Sequence, residues 1–482
     1  MGPVRDIVAP MSSPDGFDFL VIGGGPAGAT GALAAALLGR RVAMVERCPE
    51  VGGAGINTGT LPSKTLRETA LALSGLKARQ LYGVDLSLRR EATIQDFMYH
   101  EKTVTRTERS RMMDQLRGVG VEVIHGDARF VDPHTLEVTG SDGRARKIRG
   151  ERILIATGSS PVRPPEFNFE DPRVHDSNEI LELPGLPKSL AVVGAGVVGA
   201  EYACTFRALG TEIHLVDGRD VLLSFLDADV SRALAQAMVA NGIQFHWGER
   251  VHACELPASG NVILKFESGR SLSVEGVLVA AGRSSNSGDL NLPAAGIAPG
   301  KRGLIPINPF SQTEVPHIYA AGDVVGPPAL ASTSSAQARV AVFHALGVKG
   351  AQPLSPLLPS GIYTIPEASM LGETEESLKA RGEEYVVGRA PYHRNARGAI
   401  LGDTSGFLKL LFRSSDMRLL GAHVLGEHAT EIIHIALMTM LVEGGASLLE
   451  RACFNFPTLG GLYTLATYDA LLRRKGVAPA WV

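Results

Sequence analysis

The stretch FDFLVIGGGPAG at residues 17–28 decides the fold, because an apolar run passes directly into closely spaced glycines. This pattern is typical of a buried parallel strand that turns sharply into a helix, whose N-terminal N–H groups bind a pyrophosphate. Glu46 ends the next apolar run and is predicted to accept hydrogen bonds from ribose hydroxyls. The predicted dinucleotide contacts of this turn are Gly23, Gly25, Pro26, Ala27 and Gly28.

A second stretch, LAVVGAGVVG at residues 190–199, repeats the pattern, and Asp217 follows at the same distance from the first glycine. A tight turn without a ligand would explain one such motif, but two motifs with matching acids predict a protein that holds two dinucleotides. That combination indicates redox chemistry. The predicted contacts of the second turn are Gly194, Gly196, Val197, Val198 and Gly199.

The composition narrows the class of protein. The chain has 482 residues, 45% hydrophobic and 20% charged, with a formal net charge of −3, and this length predicts about three domains. The charges are interspersed, so we expect no nucleic-acid partner. The sequence contains no uncharged apolar run of about 18 residues, so we expect no membrane span. The four cysteines lack disulfide or metal-ligand spacing, so we expect no metal and a reducing, cytoplasmic location. Residues 1–16 are predicted to be a flexible leader.

Two further predicted strands end in small residues, RILIATGS at 152–159 and IYAAGD at 318–323. The order of glycine turn, Ala-Thr-Gly strand, second glycine turn and Gly-Asp strand resembles the flavin-dependent pyridine nucleotide–disulfide oxidoreductases over about residues 18–474. The resemblance implies an α/β fold with two Rossmann-type dinucleotide-binding domains, the NAD domain inserted in the FAD domain, and an α+β C-terminal dimerisation domain. It therefore implies bound FAD and a homodimer.

The resemblance also implies domain boundaries and further cofactor contacts. The FAD-binding domain would occupy residues 17–160 and 284–352, the NAD(P)-binding domain 161–283, and the dimerisation domain 353–482. The further implied contacts are Gly53, Thr58, Gly59, Ala128, Thr157, Gly158, Gly282, Gly322 and Asp323. Local patterns predict strands at 121–125 and 135–138 that meet at the turn 141–143.

The redox-active disulfide of the reductases is missing. GGAGINTGTLPSK at residues 52–64 has the form of their motif GGxCxxxxCxPSK, but Gly55 and Thr60 stand at the two cysteine positions. The C-terminal motif NFPTLGG has Phe456 and Gly461 where the reductases have a histidine and its orienting glutamate. Since these residues supply neither a thiolate nor a general acid, we expect no dithiol–disulfide exchange.

The resemblance implies that Lys64 and Glu201 form an ion pair beside flavin N5, where a cation tunes the potential. The alternatives are an exposed lysine at a helix start and an acid favoured by a helix N-terminal dipole. Because both residues remain although the disulfide is missing, we predict that they are catalytic. The strings GIYTIPE at 361–367 and CFNFPT at 453–458 are similar to a branch of the family that moves hydride between NADPH and NAD⁺ through FAD.

Two other functions stay open at this point: an NAD(P)H dehydrogenase that reduces a quinone, dye or oxygen, and a redox sensor that binds FAD and NAD(H) without turnover. The choice of nucleotide is also partly open. Asp217 favours NAD(H), because its carboxylate pairs with free ribose hydroxyls and repels a 2′-phosphate. Arg219 either reaches a 2′-phosphate of NADP(H), with Gly218 giving the loop freedom, or pairs with Asp220 or solvent.

Overall fold

The computed structural model describes residues 16–74, 94–403 and 405–477. The predicted leader lies outside the described residues except for Gly16, where the first strand begins. The chain divides into two compact units. The first unit comprises Met1–Pro62, Glu101–Val162 and Arg283–Ser355, and the second comprises Ser63–His100, Arg163–Gly282 and Pro356–Val482. The finer domain boundaries stay a prediction.

Helices and strands alternate along most of the chain. The described α-helices are α1 (Pro26–Leu37), α2 (Gly53–Ile56), α3 (Thr60–Leu73), α4 (Ile94–Gly118), α5 (Val197–Ala208), α6 (Ala228–Ala240), α7 (Ala331–Ala345), α8 (Glu375–Arg381), α9 (Ala396–Leu401), α10 (Ala429–Leu441), α11 (Ala446–Arg451) and α12 (Gly461–Arg474). The described strands are β1 (Gly16–Ile22), β2 (Val42–Glu46), β3 (Glu122–His125), β4 (Asp127–Asp132), β5 (Thr135–Thr139), β6 (Ala145–Ile155), β7 (Ser159–Pro161), β8 (Val174–Asp176), β9 (Ser189–Val193), β10 (Glu212–Asp217), β11 (Ile243–Trp247), β12 (Val251–Glu255), β13 (Val262–Phe266), β14 (Ser271–Val274), β15 (Gly276–Val279), β16 (Arg283–Ser285), β17 (Ile318–Ala320), β18 (Ser360–Ile362), β19 (Ala368–Gly372), β20 (Tyr385–Pro391), β21 (Phe407–Arg413) and β22 (Leu419–Leu425).

The first unit is built on a seven-stranded sheet of order β3-β2-β1-β6-β5-β4, in which β17 also pairs with β6, and β7 and β16 form a separate antiparallel pair. The pairs made by β1, β2, β3 and β17 are parallel. Alternate residues of β1 enter two different hydrophobic clusters, Leu20 and Ile22 one of them and Phe19 and Val21 the other. Both faces of the sheet are therefore covered, as expected for parallel strands that read as continuous apolar runs.

The predicted meeting of residues 121–125 with 135–138 is wrong. Strand β3 extends the parallel sheet beside β2, whereas β5 forms a hairpin with β6. The hairpin closes where the N–H of Gly140 donates to the carbonyl of Arg144 at 2.9 Å. The turn residues were recognised correctly, but a turn pattern does not say which of several nearby strands it joins.

The second unit contains a parallel sheet of order β11-β10-β9-β15-β8, in which α5 follows β9. A small antiparallel sheet, β12-β13-β14, is inserted in the chain between β11 and β15. The C-terminal part forms an antiparallel sheet of order β18-β19-β22-β21-β20, packed with α10, α11 and α12 around a separate hydrophobic cluster. Among the helices that the structure describes, none has the length and apolar character needed to cross a membrane.

A buried lysine joins two parts of the second unit. Lys409 on β21 is 1% exposed, and its Nζ donates to Asp227 Oδ1 at 2.7 Å and to Asp229 Oδ2 at 2.8 Å. Glu375 forms a third ion pair with the same ammonium. Burial lowers the pKa of Lys409, but its three carboxylate partners outweigh this and raise the pKa above the ordinary value. The three acids lie close enough to hold a metal ion, but the lysine ammonium is already paired with all of them.

We expect Lys409→Met to destabilise the protein by about 3–5 kcal/mol, because it leaves buried carboxylates without their shared cation. The thermal unfolding midpoint should fall by about 6–10 °C. Lys265→Met is the matched control: Lys265 is 38% exposed and pairs with Glu255 at 3.7 Å, so its effect should stay within about 0.5 kcal/mol. Equal effects of the two substitutions would contradict a stabilising role for the buried Lys409 ion pairs.

Candidate functional site

The first glycine turn joins β1 to α1, and its geometry requires glycine at two positions. A Cβ on Gly28 would lie 1.8 Å from the carbonyl oxygen of Gly23. Gly23 has a φ of +100°, and a Cβ there would lie 2.4 Å from the carbonyl oxygen of Ala156. The end of the strand and the start of the helix are therefore in direct backbone contact, which no larger residue allows.

Gly25 has a different environment. The nearest atom to a Cβ at this position is the Cα of Gly53, at 3.7 Å, so protein packing does not exclude a side chain. Pro26 and Ala27 are the first two residues of α1. The space beside Gly25 thus lies at a helix N-terminus, where backbone N–H groups favour an anion.

Glu46 is held in place at the end of β2. Its Oε2 accepts the N–H of Gly24 at 2.5 Å, and its Oε1 accepts the N–H of Cys48 at 2.8 Å. The side chain is buried, and these two bonds fix it beside the glycine turn. Each carboxylate oxygen keeps a lone pair with which to accept a ribose hydroxyl.

Asp323 belongs to a polar group that the sequence did not reveal in full. Ser159 Oγ donates to Asp323 Oδ2 at 2.6 Å, and Arg283 Nε donates to Ser159 Oγ at 2.7 Å. The Gly322 N–H is fixed separately by Gln337 Oε1 at 2.8 Å. Ser159 and Arg283 each follow a predicted contact in the sequence, which was the signal available for finding them.

The remaining predicted contacts of the first unit are partly brought together. Gly53 lies against Gly25, since a Cβ on Gly53 would be 2.8 Å from the Gly25 Cα. Gly59 lies against the carbonyl of Ala54, and Thr58 lies half-buried between α2 and α3. The others are spread over the sheet: Ala128 on β4, opposite Val138, and Thr157 and Gly158 between β6 and β7.

The second glycine turn, between β9 and α5, repeats the geometry of the first. A Cβ on Gly199 would lie 1.9 Å from the carbonyl oxygen of Gly194, and one on Gly194 would lie 2.4 Å from that of Ala280. A Cβ on Gly196 would meet no atom within 4 Å, and the same holds for Gly282. The other predicted contacts of this turn, Val197 and Val198, begin α5.

Asp217 ends β10 and is engaged on both oxygens. Its Oδ2 accepts the N–H of Ala195 at 2.7 Å, as Glu46 accepts that of Gly24 in the first turn. Arg219 adds a bidentate pair, with Nε–Oδ1 at 2.9 Å and a terminal nitrogen to Oδ2 at 2.7 Å. Burial raises the pKa of Asp217, but Arg219 and the backbone donors outweigh it and hold the pKa below its ordinary value.

Lys64 and Glu201 form the ion pair that the resemblance implied, with Nζ–Oε2 at 2.5 Å. The second oxygen of Glu201 accepts the backbone N–H of Tyr363 at 2.8 Å. The Tyr363 ring lies under the ammonium, 5.0 Å from Nζ to the ring centroid. The pair is thus held by α3, α5 and the segment after β18, and no sequence pattern indicated the part played by Tyr363. The catalytic role of the pair stays a prediction.

The cysteine positions of the reductase motif offer no thiol. A Cβ on Gly55 would lie 2.5 Å from Cγ of the Pro26 ring, so a side chain there would require that ring to move. Burial raises the pKa of Cys204 to about 12 and that of Cys254 to about 11. Burial, followed by the charge of Glu46, also raises the pKa of Cys48. These three thiols are therefore not activated as nucleophiles.

The C-terminal motif surrounds a cavity of about 300 Å³ in the second unit. Phe456 lines it with a side chain that is 86% exposed. A Cβ on Gly461 would lie 3.2 Å from Nδ2 of Asn395, which donates to the carbonyl of Thr458 at 3.2 Å. The place of the reductases' acid–base pair is thus taken by a cavity without an imidazole.

The fold and the two glycine turns with their paired acids define an oxidoreductase that uses two dinucleotides. Residues 17–342 match the pyridine nucleotide-disulphide oxidoreductase family, and residues 358–466 match its dimerisation domain. The chain belongs to this family, which confirms the resemblance and the predicted fold class. Membership implies FAD and a nicotinamide nucleotide as cofactors.

Particular relatives narrow the comparison. The chain is 42% identical over 462 residues to the soluble pyridine nucleotide transhydrogenase of Mycobacterium tuberculosis strain ATCC 25177 / H37Ra, covering 96% of this chain and 98% of the relative. It is 37% identical over 460 residues to that of Colwellia psychrerythraea, covering 95% and 98%. Among solved structures, LpdA from Mycobacterium tuberculosis superposes with a TM-score of 0.88 at 27% identity, covering 94% of this chain and 99% of that one. The HOCl-induced flavoprotein disulfide reductase RclA from Escherichia coli gives 0.84 at 27%, with the same coverage.

The residues present fit these cofactors. In the first unit, the open position at Gly25 matches a pyrophosphate, and the buried Oγ1 of Thr157 has no hydrogen-bond partner among the described residues. A bound FAD would explain both observations. In the second unit, the open positions at Gly196 and Gly282 leave room for a second dinucleotide beside the α5 N-terminus.

Two glycines of the second turn give a matched pair of variants. We expect Gly196→Ala to keep the wild-type thermal unfolding midpoint and to weaken NAD⁺ binding about tenfold, because its methyl group enters the space of the pyrophosphate. Gly199→Ala should lower the unfolding midpoint instead, since its Cβ meets the Gly194 carbonyl. Calorimetric titration and thermal unfolding measure the two effects. Wild-type NAD⁺ affinity in Gly196→Ala would show that the turn binds no dinucleotide.

Proposed function

We propose that this chain is an FAD-dependent enzyme that transfers hydride between NADPH and NAD⁺. The observation that carries the proposal is the intact Lys64–Glu201 ion pair in a chain that has Gly55 and Thr60 at the two cysteine positions. A charge pair is useful for hydride transfer, and a thiol is not needed for it. The relatives named soluble pyridine nucleotide transhydrogenase support the same conclusion.

Bound FAD supplies the hydride-accepting and hydride-donating ring for both nucleotides. The protein contributes binding, orientation and charge. Gly25 and Glu46 would hold the flavin dinucleotide, and Gly196 and Asp217 would hold a nicotinamide nucleotide. Glu201, fixed by the N–H of Tyr363, keeps the Lys64 ammonium in one position. A fixed cation is most effective where negative charge increases during the reaction, because it needs no reorganisation.

A single nicotinamide nucleotide site implies that the two substrates bind in turn, in a ping-pong sequence. The site must then accept a ribose with and without a 2′-phosphate. Asp217 offers an acceptor for free hydroxyls, and Arg219 offers a guanidinium for a phosphate. Asp217 and Arg219 are paired with each other. A free ribose hydroxyl would therefore compete with Arg219 for Asp217, and a 2′-phosphate would compete with Asp217 for Arg219.

We also propose that the protein works as a homodimer in the cytoplasm. The match of residues 358–466 to a dimerisation domain supports the first part. Exposed apolar side chains in that region, among them Met438 and Val442, agree with burial against a second copy. The second part rests on the four cysteines, which are all free thiols and therefore suit a reducing compartment.

A second candidate function is an NAD(P)H dehydrogenase with a quinone or dye as acceptor. The specific observation in its favour is the cavity beside Phe456 and Gly461, where the reductases have their acid–base pair. Such a cavity accepts a flat apolar molecule more readily than it performs proton transfer. The stopped-flow experiment described next separates this candidate from the first.

Anaerobic stopped-flow absorbance of the FAD-loaded protein tests the proposal. We expect NADPH to bleach the flavin absorbance and NAD⁺, or its thio-nicotinamide analogue, to restore it rapidly. Bleaching that persists until a quinone is added would favour the dehydrogenase. Slow turnover with every acceptor would instead indicate a redox sensor.

The variant Lys64→Met should retain FAD but slow the bleaching by NADPH about tenfold or more, because the fixed positive charge is lost. Lys265→Met removes a charge of the same kind at a partly exposed position and should leave the rate unchanged. An unchanged rate in Lys64→Met would remove the ion pair from the reaction.

Asp217→Ala should weaken NAD⁺ binding more than NADP⁺ binding, since the acceptor for free hydroxyls is lost while Arg219 is released. Asp220→Ala, which changes a neighbouring exposed acid, is the control and should affect neither. Calorimetric titration measures the dissociation constants of NAD⁺ and NADP⁺. Equal losses of affinity for both nucleotides in Asp217→Ala would contradict the role of Asp217 in binding the ribose.

A further inference from the structure

A second arginine lies beside the ribose-binding acid of the second glycine turn. A Cβ built on Gly218 would lie 3.1 Å from Nε of Arg250 and 3.3 Å from its Cζ. The guanidinium therefore lies against the backbone of Gly218, the residue that separates Asp217 from Arg219 in the chain. The φ of Gly218 is not in the left-handed region, so the glycine permits this close approach and is not required by the backbone conformation.

The backbone places Arg250 there independently of the side chains. The N–H of Glu249 donates to the carbonyl of Asp217, and the N–H of Gly248 donates to that of Arg219, both at 3.2 Å. Residues 248–250 thus run directly beside residues 217–219. These two hydrogen bonds keep the backbone of Arg250 close to Gly218, so its side chain starts beside the turn.

The acids next to Gly218 and Arg250 in the chain, Asp217 and Glu249, pair with other arginines. Arg219 and Asp217 neutralise each other through a bidentate ion pair. The nearest acid in sequence, Glu249, is taken by Arg270 and by Ser268 Oγ. Within the part of the chain that the structure describes, the Arg250 guanidinium has no ion pair and donates no hydrogen bond. A guanidinium that can bind an anion therefore lies at the end of β10, and the acid of the 217–220 turn without an ion pair among the described residues is the exposed Asp220.

We propose that Arg250 is a specificity-determining residue that, together with Arg219, binds the 2′-phosphate of NADP(H). This proposal deepens the proposed function, on which it rests, because it says how one site accepts both nucleotides. A 2′-phosphate carries about 1.5–2 negative charges at neutral pH, and two guanidinium groups match it better than one. With NAD(H), Asp217 accepts the free hydroxyl, and Arg250 stays solvated at the edge of the site.

Binding of nicotinamide-free ligands tests the proposal without any turnover. The FAD-loaded, full-length protein is titrated calorimetrically with ADP-ribose and with 2′-phospho-ADP-ribose. We expect Arg250→Ala to weaken the 2′-phosphorylated ligand about tenfold and to leave ADP-ribose within about twofold. Arg144→Ala, which removes a 90% exposed arginine from the turn between β5 and β6, is the charge-matched control and should change neither.

Two more variants separate charge from packing. Arg250→Gln keeps a long stem against Gly218 but removes the charge, and it should weaken the phosphorylated ligand as Arg250→Ala does. Arg250→Lys keeps the charge and should retain most of the affinity. A loss in Arg250→Ala that Arg250→Gln restores, or an equal loss for both ligands, would overturn the proposal. So would wild-type affinity for both ligands in Arg250→Ala.

The outcomes also distinguish this inference from the proposed function. If Arg250→Ala loses affinity only for 2′-phospho-ADP-ribose, the inference holds even when the stopped-flow experiment shows no transfer to NAD⁺. If the wild-type protein transfers hydride from NADPH to NAD⁺ and Arg250→Ala leaves both affinities unchanged, the function stands and the inference fails. A failure of the wild-type protein to bind 2′-phospho-ADP-ribose would overturn both.

Discussion

The backbone contact inside each glycine turn is the constraint on which both dinucleotide sites depend. The Gly23 carbonyl oxygen lies where a Cβ of Gly28 would be, and the Gly194 carbonyl lies in the same relation to Gly199. This contact brings each helix N-terminus to the carboxyl end of its strand. The acid that ends the next strand can then accept the N–H of the residue after the first glycine, Gly24 or Ala195. Anion-binding backbone and ribose-binding carboxylate are therefore assembled by one local feature.

The parts of the sites that were predictable from sequence are those that arise locally. The glycine turns, Glu46 and Asp217 follow from spacing within a single strand–helix–strand segment. The Lys64–Glu201 pair was expected only through resemblance, because its members lie 137 residues apart and no local pattern joins them. The two strand–turn–helix segments were predictable for the same reason as the turns, whereas the insertion of the NAD domain and the dimerisation domain were expected only through the resemblance.

The parts that were missed depend on contacts between distant segments. Ser159 and Arg283 meet across 124 residues, and the Tyr363 N–H reaches Glu201 across 162. Neither pair leaves a periodic signal. Arg219 pairs with Asp217 rather than with Asp220, a partner two residues away that was not expected from the sequence, and its contact with a 2′-phosphate stays a prediction. The pairing of β3 was wrongly predicted because residues 121–125 carry no local signal of their partner. Strand β3 pairs with β2, whose residues 42–46 lie far away in the sequence.

The packing of Gly55 against Pro26 has a consequence for how this chain can change. The rigid proline ring stands 2.5 Å from the position of a Cβ, and the same proline is the first residue of α1. A cysteine in place of this glycine would therefore require the Pro26 ring, at the start of the dinucleotide-binding helix, to move. A second cysteine at position 60 would also be needed before any disulfide could form. Thiol chemistry at this site would thus require at least two substitutions, and the one at Gly55 would also displace the proline that begins α1.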